Sequence, residues 1–280
     1  IGDASARSYE TVTLGDLAPR VLMNSPRLVL GPPVRRGKAY AEIAHSAQSV
    51  SAFVAIDRAL MEGGVSVPLI EAADLEQGLL LTEHLGSEAF LDAEGRPVVA
   101  RYAAAAELLA MMHGRSWDYH MPTGEGGFHD VPPFDRDAMM IEADLLIDWY
   151  VPAITGQPAT DALRAGYARE WNALFDRLEN REYTLMLRDF HSPNIIWRAD
   201  RVGHDRLGIV DFQDALVGPS AYDVASLAMD ARVTIPPDIE TETRDAYVAA
   251  RHAAGAFDEE GFLEAYAIMA AQRNSKILGI

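Results

Sequence analysis

Two short apolar runs, each delivering an aspartate into a polar loop, constrain this chain more than any other feature. In the first, Leu185-Met186-Leu187 leads into Arg188-Asp189-Phe190-His191-Ser192-Pro193-Asn194, and Ile195-Ile196-Trp197 leads out again. In the second, Leu207-Gly208-Ile209-Val210 delivers Asp211, followed by Phe212, Gln213 and Asp214. Short apolar runs bounded by turn-forming residues read as buried strands. Asp189 and Asn194 then share one turn between two strands, and Asp211 ends a third strand 22 positions after Asp189. An Asp and an Asn five positions apart carry little weight alone, and a strand ending in Asp-Phe is commonly structural. In this order and between these strands, the three residues describe one cluster of oxygen ligands.

Residues 1–86 read as a small lobe. Runs 8–13 and 20–23 are β-like, and 38–61 has helical spacing through Ile43, Ala47, Val50 and Val54. Gly63-Gly64 ends that helix, strands follow at 65–71 and 78–82, and Gly86 closes the lobe as a hinge. Residues 87–280 are mainly helical. The spacing predicts helices over 98–112, 134–150 and 159–180, with the Gly-, Pro- and His-rich segment 114–133 as a loop. A compact β insert spans 183–187, 194–198 and 207–210, and helices run from 222 to the end, broken near Ile235-Pro236-Pro237. The class is α+β, with a small β-rich amino-terminal lobe and a larger, mainly helical carboxy-terminal lobe.

Phosphoryl transfer needs a carboxylate that orients and deprotonates the acceptor hydroxyl, and an oxygen ligand nearby for Mg²⁺. Asp189 and Asn194 supply that pair, and Asp211 a second metal ligand. A third stretch, Gly218-Pro219-Ser220-Ala221-Tyr222-Asp223-Val224, places Asp223 at a helix start. It reads as a first-turn acid, or as a support that holds the Asp189 loop by hydrogen bonds without touching substrate.

The run Asp211-Phe212-Gln213-Asp214-Ala215, with Gly218 and then Tyr222-Asp223-Val224, resembles the aminoglycoside phosphotransferase/choline kinase superfamily. Within it, the chain is similar to bacterial cell-wall amino-sugar kinases that phosphorylate N-acetylmuramate and N-acetylglucosamine at the anomeric hydroxyl. Gly2-Asp3-Ala4-Ser5-Ala6-Arg7-Ser8-Tyr9 resembles that group's phosphate-loop start, and Val21-Leu22-Met23-Asn24-Ser25-Pro26 its next strand and turn. Leu79-Leu80-Leu81-Thr82-Glu83-His84-Leu85-Gly86 resembles its hinge, and Phe134-Asp135 with Asp148-Trp149-Tyr150 its substrate-side helix. The resemblance implies a protein-kinase-like bilobal fold, a nucleotide-binding lobe at 1–86 and a catalytic and substrate-binding lobe at 87–280. It implies that Asp189 is the catalytic base, and that Asn194 and Asp211 hold Mg²⁺ against the phosphates of ATP. Ser5 and its neighbours, Arg7 included, would cover those phosphates, and the backbone of Glu83, His84 and Leu85 would pair with adenine.

Protein kinases carry a phosphate-holding Lys on their third strand. Here that place is Val21-Leu22-Met23, and Lys38 lies beyond a Gly-Pro-Pro break. Arg7 is the candidate replacement, against a plain surface arginine. Glu42 could be the ion-pairing acid of the next helix or simply an exposed one. His191 is expected to shape its loop through a hydrogen bond, and Arg188 to be structural. His113, His120 and His129 lack metal-ligand spacing on one helix face, so no zinc site is expected. Trp149 and Tyr150 suit either a sugar ring or the core.

Lys and Arg number 24 against 42 Asp and Glu, a net charge of −18 that disfavours nucleic acid and anionic lipid as partners. No run of about 18 apolar residues suggests a membrane span. The absence of cysteine excludes disulfides and thiolate chemistry and fits a reducing cytoplasm. The chain opens at Ile1 rather than Met, as expected of a trimmed form of a longer one. Three readings stand: a kinase of a sugar hydroxyl, a kinase of an aminoglycoside or choline-type amine, and a nucleotide-binding pseudokinase. The acidic surface suits the second reading, and the missing Lys motivates the third. All three expect a small-molecule partner, and oligomeric state is open.

Overall fold

The structure, a computed structural model, describes residues 7–13, 15–124 and 126–280. The amino-terminal part is a four-stranded antiparallel sheet in the order β1 (Ser8–Val12), β2 (Arg20–Asn24), β6 (Leu79–Glu83), β5 (Ile70–Asp74). Alternation positions β6: Leu80 and Thr82 are buried, while Leu79, Leu81 and Glu83 are partly exposed. Gly78 starts this strand at φ 73°, and its carbonyl accepts from the Ser25 N–H at 2.8 Å. A Cβ there would lie 2.2 Å from the Ser25 carbonyl oxygen, so only glycine fits the turn.

The helix expected over 38–61 is interrupted. Lys38–Ala39 is a strand, β4, paired with β3 (Pro33–Arg35). Helix α1 (Tyr40–Ile43) is a single turn, and α2 begins afresh (Val50–Glu62). The spacing Ile43, Ala47, Val50 is helical in pattern, yet residues 44–49 give their backbone groups to distant partners. The Ala44 carbonyl accepts from Arg188 Nη1 (3.1 Å), the Ala47 N–H donates to Asp214 Oδ1 (2.6 Å), and the Gln48 carbonyl accepts from the Leu28 N–H (2.9 Å). His45 adopts φ 53°, which ends α1. Tertiary bonds satisfy the polar backbone and replace the helical ones.

The carboxy-terminal part is mainly helical: α3 (Val99–His113), α4 (Arg136–Leu145), α5 (Val151–Thr155), α6 (Asp161–Asp176), α7 (Ala221–Ala228), α8 (Pro237–Ala254) and α9 (Glu259–Gly279). Helix α3 packs on α8, and α9 packs on α4 and α7. The segment 114–133, expected as a loop, contains the hairpin β7 (His120–Pro122) and β8 (Phe128–Asp130). The helix expected over 134–150 passes from α4 into a π-helical turn (Leu146–Tyr150) and then α5. The strand expected at 65–71 starts only at Ile70. The β insert holds β9 (Tyr183–Met186), β10 (Ile195–Trp197) and β11 (Leu207–Ile209), as read, and also β12 (Leu216–Pro219), which pairs with β9. Among the described residues no helix is long and apolar enough to cross a membrane.

One contiguous core joins the two parts, with Phe53 of α2 stacked on Phe212 at 4.7 Å between ring centroids. A charged cluster is buried beside it. Glu142 of α4, fully buried, accepts from Arg188 Nε (3.1 Å) and Nη2, from Lys276 Nζ of α9 (2.9 Å) and from Gln272 Nε2 (3.3 Å). Burial pushes the Glu142 carboxyl up, but Arg188 and Lys276 outweigh it and hold it at about 2. Glu142 therefore ties two helices to the residue that precedes Asp189.

Asp57 of α2 is different. It is 1% exposed, its Oδ2 has no hydrogen-bond partner among the described residues, and burial pushes its carboxyl up to about 8. The folded chain holds this proton, whereas the unfolded chain releases it near 3.8. Asp57 therefore costs stability increasingly as pH rises between these values. Asp57→Asn is expected to stabilise the fold by about 1–3 kcal/mol at pH 8, a gain that fades by pH 4. Thermal melting of both proteins across that range checks it, and parallel profiles would refute it. Glu142→Ala, which strands the buried Arg188 and the partly buried Lys276, is expected to cost about 3–5 kcal/mol in urea unfolding.

Candidate active site

The first apolar run becomes β9, which carries the chain to Arg188 at φ 72° and Asp189. A 3₁₀ turn over Ser192–Asn194 reverses it into β10. Because β10 pairs antiparallel with β11, with Ile195 opposite Ile209, the loop's end and the start of the next loop lie side by side. The Val210 N–H donates to the Asn194 carbonyl at 3.0 Å, and Asp211 follows at φ 61°. Left-handed conformations are uncommon for residues with a Cβ and persist only where the surroundings impose them.

Those surroundings are specific. Asp223 of α7, fully buried, accepts from the Leu187 N–H (2.6 Å) and the Arg188 N–H (2.8 Å). This is the supporting role expected of it. Asp230 accepts from the Ser192 N–H (2.8 Å) and the Tyr102 hydroxyl (3.3 Å). Arg188 is held by Glu142 and the Ala44 carbonyl, in keeping with a structural role. The Asp189 loop is thus bonded to α3, α4, α7 and the segment before α2.

Asn194 Nδ2 donates to the Asp189 carbonyl at 2.9 Å and reaches toward Asp211 Oδ2 at 3.4 Å. With Nδ2 committed, the amide's Oδ1 is its remaining ligand atom. Asp211 Oδ1 accepts from Arg7 Nη1 (3.0 Å) and Gln213 Nε2 (2.9 Å). Arg7 Nη2 lies 3.5 Å from Asp214 Oδ2, whose other oxygen binds the Ala47 N–H. Burial pushes the Asp211 carboxyl up and Arg7 opposes it, with the net value above the usual range. Burial lowers the Arg7 value, but Asp211 and Asp214 outweigh it and raise it. A cation already sits where a second one would bind.

Two cavities meet at Arg7 and Asp211. The first, about 330 Å³, is lined by Val21, Met23, Thr82, Ile196 and Val210, and by Glu83, His84 and Leu85. The second, about 350 Å³, is lined by Asp189, Asp214 and the residues before α2. Just past the end of β6, the Leu85 N–H and carbonyl make no hydrogen bond among the described residues. Glu83 spends its N–H on the Leu69 carbonyl (2.8 Å) and its side chain on Arg198 (3.3 Å), and His84 Nδ1 accepts from the Gly86 N–H. Among the described residues no group of three His, Asp or Glu side chains gathers as a self-sufficient metal site. Two oxygens completed by phosphates and water are nevertheless the ordinary protein share of an Mg²⁺ shell, and Asn194 and Asp211 fit it.

Of the residues singled out in sequence, Asp189, Asn194, Asp211 and Arg7 come together, and Glu83, His84 and Leu85 line the adjoining cavity. Ser5 lies outside the described residues. Met23, 2% exposed, lines the cavity, so Arg7 is the one Lys or Arg lining it among the described residues. Glu42 instead caps its own short helix, accepting from the Ala39 N–H at 2.8 Å. His191 Nδ1 is buried without a partner among the described residues, so the loop-shaping bond is not made through that nitrogen. Trp149 is 66% exposed and Tyr150 38%, outside the core and both cavities. Sequence reasoning missed Glu142, Asp230 and the role of segment 44–49. In sequence, their acids and amides look like any others.

Residues 2–265 match the phosphotransferase enzyme family (APH). An N-acetylmuramate/N-acetylglucosamine kinase of Caulobacter vibrioides is 30% identical over 289 residues, covering 100% of this chain and 78% of that protein. One of Pseudomonas putida is 32% identical over 232 residues, covering 81% of this chain and 64% of that protein. The chain thus spans only part of these relatives' length. Among solved structures, the choline kinase of Streptococcus pneumoniae superposes with a TM-score of 0.62 at 12% identity, covering 100% of this chain and 83% of that one. At that identity the likeness is one of fold: α+β, bilobal and protein-kinase-like. With strand, loop and buried clamp in place around Asp189 and Asp211, and a family match over nearly its whole length, the chain belongs to the phosphotransferase enzyme family.

Proposed function

We propose that this chain is an ATP-dependent kinase of a sugar hydroxyl, with the anomeric hydroxyl of N-acetylglucosamine or N-acetylmuramate as acceptor. The names of its relatives support the acceptor class. The observation that carries the catalytic reading is the Asn194 amide, which spans the Asp189 carbonyl (2.9 Å) and the Asp211 carboxylate (3.4 Å) at the junction of two cavities. Residues 1–86 serve as the nucleotide lobe and 87–280 as the catalytic and substrate lobe, with Gly86 (φ 115°) as the hinge. The cytoplasm, which supplies ATP, is the working compartment.

Adenine enters the first cavity, where Leu85 offers its main-chain groups and Val21, Met23, Ile196 and Val210 supply apolar faces. Asn194 and Asp211 would hold Mg²⁺, which would neutralise and orient the phosphates when bound. Arg7 releases Asp211 and Asp214 and turns to the phosphates, in place of the strand lysine. Asp189 accepts the proton of the acceptor hydroxyl as its oxygen attacks the γ-phosphorus, the bond from that phosphorus to the β–γ bridging oxygen breaks, and ADP leaves. Most of the acceleration comes from positioning and charge stabilisation, which the bonds from Asp223 and Asp230 secure by fixing the loop.

Asp189→Asn and Asp211→Ala are each expected to lower kcat by about 10²–10⁴-fold on N-acetylglucosamine or N-acetylmuramate, in a coupled ADP-release assay. Full rates in either variant would sink the assignment. A wild-type chain that binds nucleotide yet phosphorylates neither sugar nor amine would be a pseudokinase. Arg7→Met is expected to raise KM for ATP about tenfold, with a smaller effect on acceptor KM.

A further inference from the structure

We infer that the acceptor occupies the second cavity, held by Tyr40, Ser46, Gln48 and Ser49, and that this wall selects an uncharged N-acetylated sugar over an acidic one. The inference rests on the kinase reading above and deepens it.

A general base must reach the hydroxyl it deprotonates. Asp189 lines the second cavity and not the first, whereas Arg7 and Asp211 line both. The phosphates therefore lie at the junction, and the acceptor lies on the Asp189 side. Besides Arg7 and the aspartates, the cavity is lined by residues 46–49 and by Ser25, Pro26, Leu28, Tyr40 and Ala41. Beside the apolar Pro26, Leu28, Ala41 and Ala47, the polar side chains of this wall are hydroxyls and one carboxamide, groups that both donate and accept and so match sugar hydroxyls and an acetamide. Among the described residues, none of the Tyr40, Ser46, Gln48 and Ser49 side chains makes a hydrogen bond within the protein. Ser49 is the clearest case. It stands at the N-cap of α2 in extended conformation, yet its hydroxyl does not cap the helix. Burial beside Glu142 pushes the Tyr40 hydroxyl up to about 12, so it is a neutral donor at any working pH.

This wall is preorganised. The bonds that break the expected helix, from Arg188 to the Ala44 carbonyl, from the Ala47 N–H to Asp214 and from Leu28 to the Gln48 carbonyl, pin it to the catalytic loops. A site held this way loses little freedom on binding.

Charge decides the selectivity. Among the described residues Arg7 is the only Lys or Arg lining the cavity, and its two arms go to Asp211 and Asp214. After nucleotide binds, the same guanidinium serves the phosphates. The cations at the junction, Arg7 and the Mg²⁺ that Asn194 and Asp211 would hold, are engaged by the phosphates, so an acceptor carboxylate beside Asp189 and Asp214 would lose its hydration without recompense. A cationic amine fares little better, because Asp211 would hold Mg²⁺, Asp214 takes the Ala47 N–H, and Asp189 is needed for the proton. N-acetylmuramate carries a lactyl carboxylate; N-acetylglucosamine does not.

The test measures kcat/KM for both sugars with the full chain, alongside nucleotide-dependent binding followed by NMR titration with N-acetylglucosamine in the presence of ADP and Mg²⁺. N-acetylglucosamine is expected to be favoured at least tenfold. Ser46→Ala and Gln48→Ala are expected to raise its KM about five- to tenfold with KM for ATP and melting temperature unchanged, and Gln48→Lys to narrow the gap between the sugars. Equal use of both sugars by the wild type, or alanine variants with unchanged acceptor KM, would overturn the inference and leave the kinase reading standing. If neither sugar is phosphorylated but N-acetylglucosamine binds in a Gln48-dependent way, the subsite stands and the kinase reading falls. If it neither reacts nor binds, both fall.

Discussion

The buried grip on Arg188 is the interaction on which the rest of the site depends. Its side chain is fixed by Glu142, itself locked by Lys276 and Gln272, and its N–H by Asp223, which takes the Leu187 N–H as well. An isolated buried charge is too costly to keep, so this cluster holds together as a unit or not at all. It brings α4, α7 and α9 onto one residue and forces that residue into a left-handed conformation. Asp189, the next residue, is set by this grip together with its own backbone bonds to Leu187 and Asn194.

Arg7 provides the matching constraint on the nucleotide side. Three aspartates converge where the two cavities meet, and their mutual repulsion needs a cation. The chain supplies one from its own amino-terminal strand region. That arrangement gives a site with methionine in place of the phosphate-holding lysine its positive charge, paired with Asp211 and Asp214. It also leaves the second cavity, among the described residues, with no Lys or Arg besides Arg7.

How far the chain can be read without coordinates differs from element to element. The strands flanking Asp189 and Asp211 were legible because four apolar residues running into a polar turn have few other solutions. The role of Asp223 was legible too, because an acid at a helix start after Gly-Pro has few partners to choose from. The helix over 38–61 was misread, because Ile43, Ala47, Val50 and Val54 obey helical spacing while residues 44–49 bond to Arg188, Asp214 and Leu28 instead. Period cannot report bonds to residues more than a hundred positions away. The hairpin in 114–133 was missed for a related reason: its strands are three residues each, too short for alternation to show.

By itself the sequence determined which atoms are available for chemistry: an aspartate and an asparagine on one turn, a second aspartate at a strand end, no cysteine, and no lysine on the second strand. These follow from local pattern and residue type. Only the tertiary structure decided what those atoms face. It turned segment 44–49 from a helix into the wall of a cavity, set Arg7 against Asp211 and Asp214, and chose Glu142 from among 42 acids to hold the catalytic loop. The reason is that burial and pairing belong to places rather than residues, and a place exists only once distant segments have packed together.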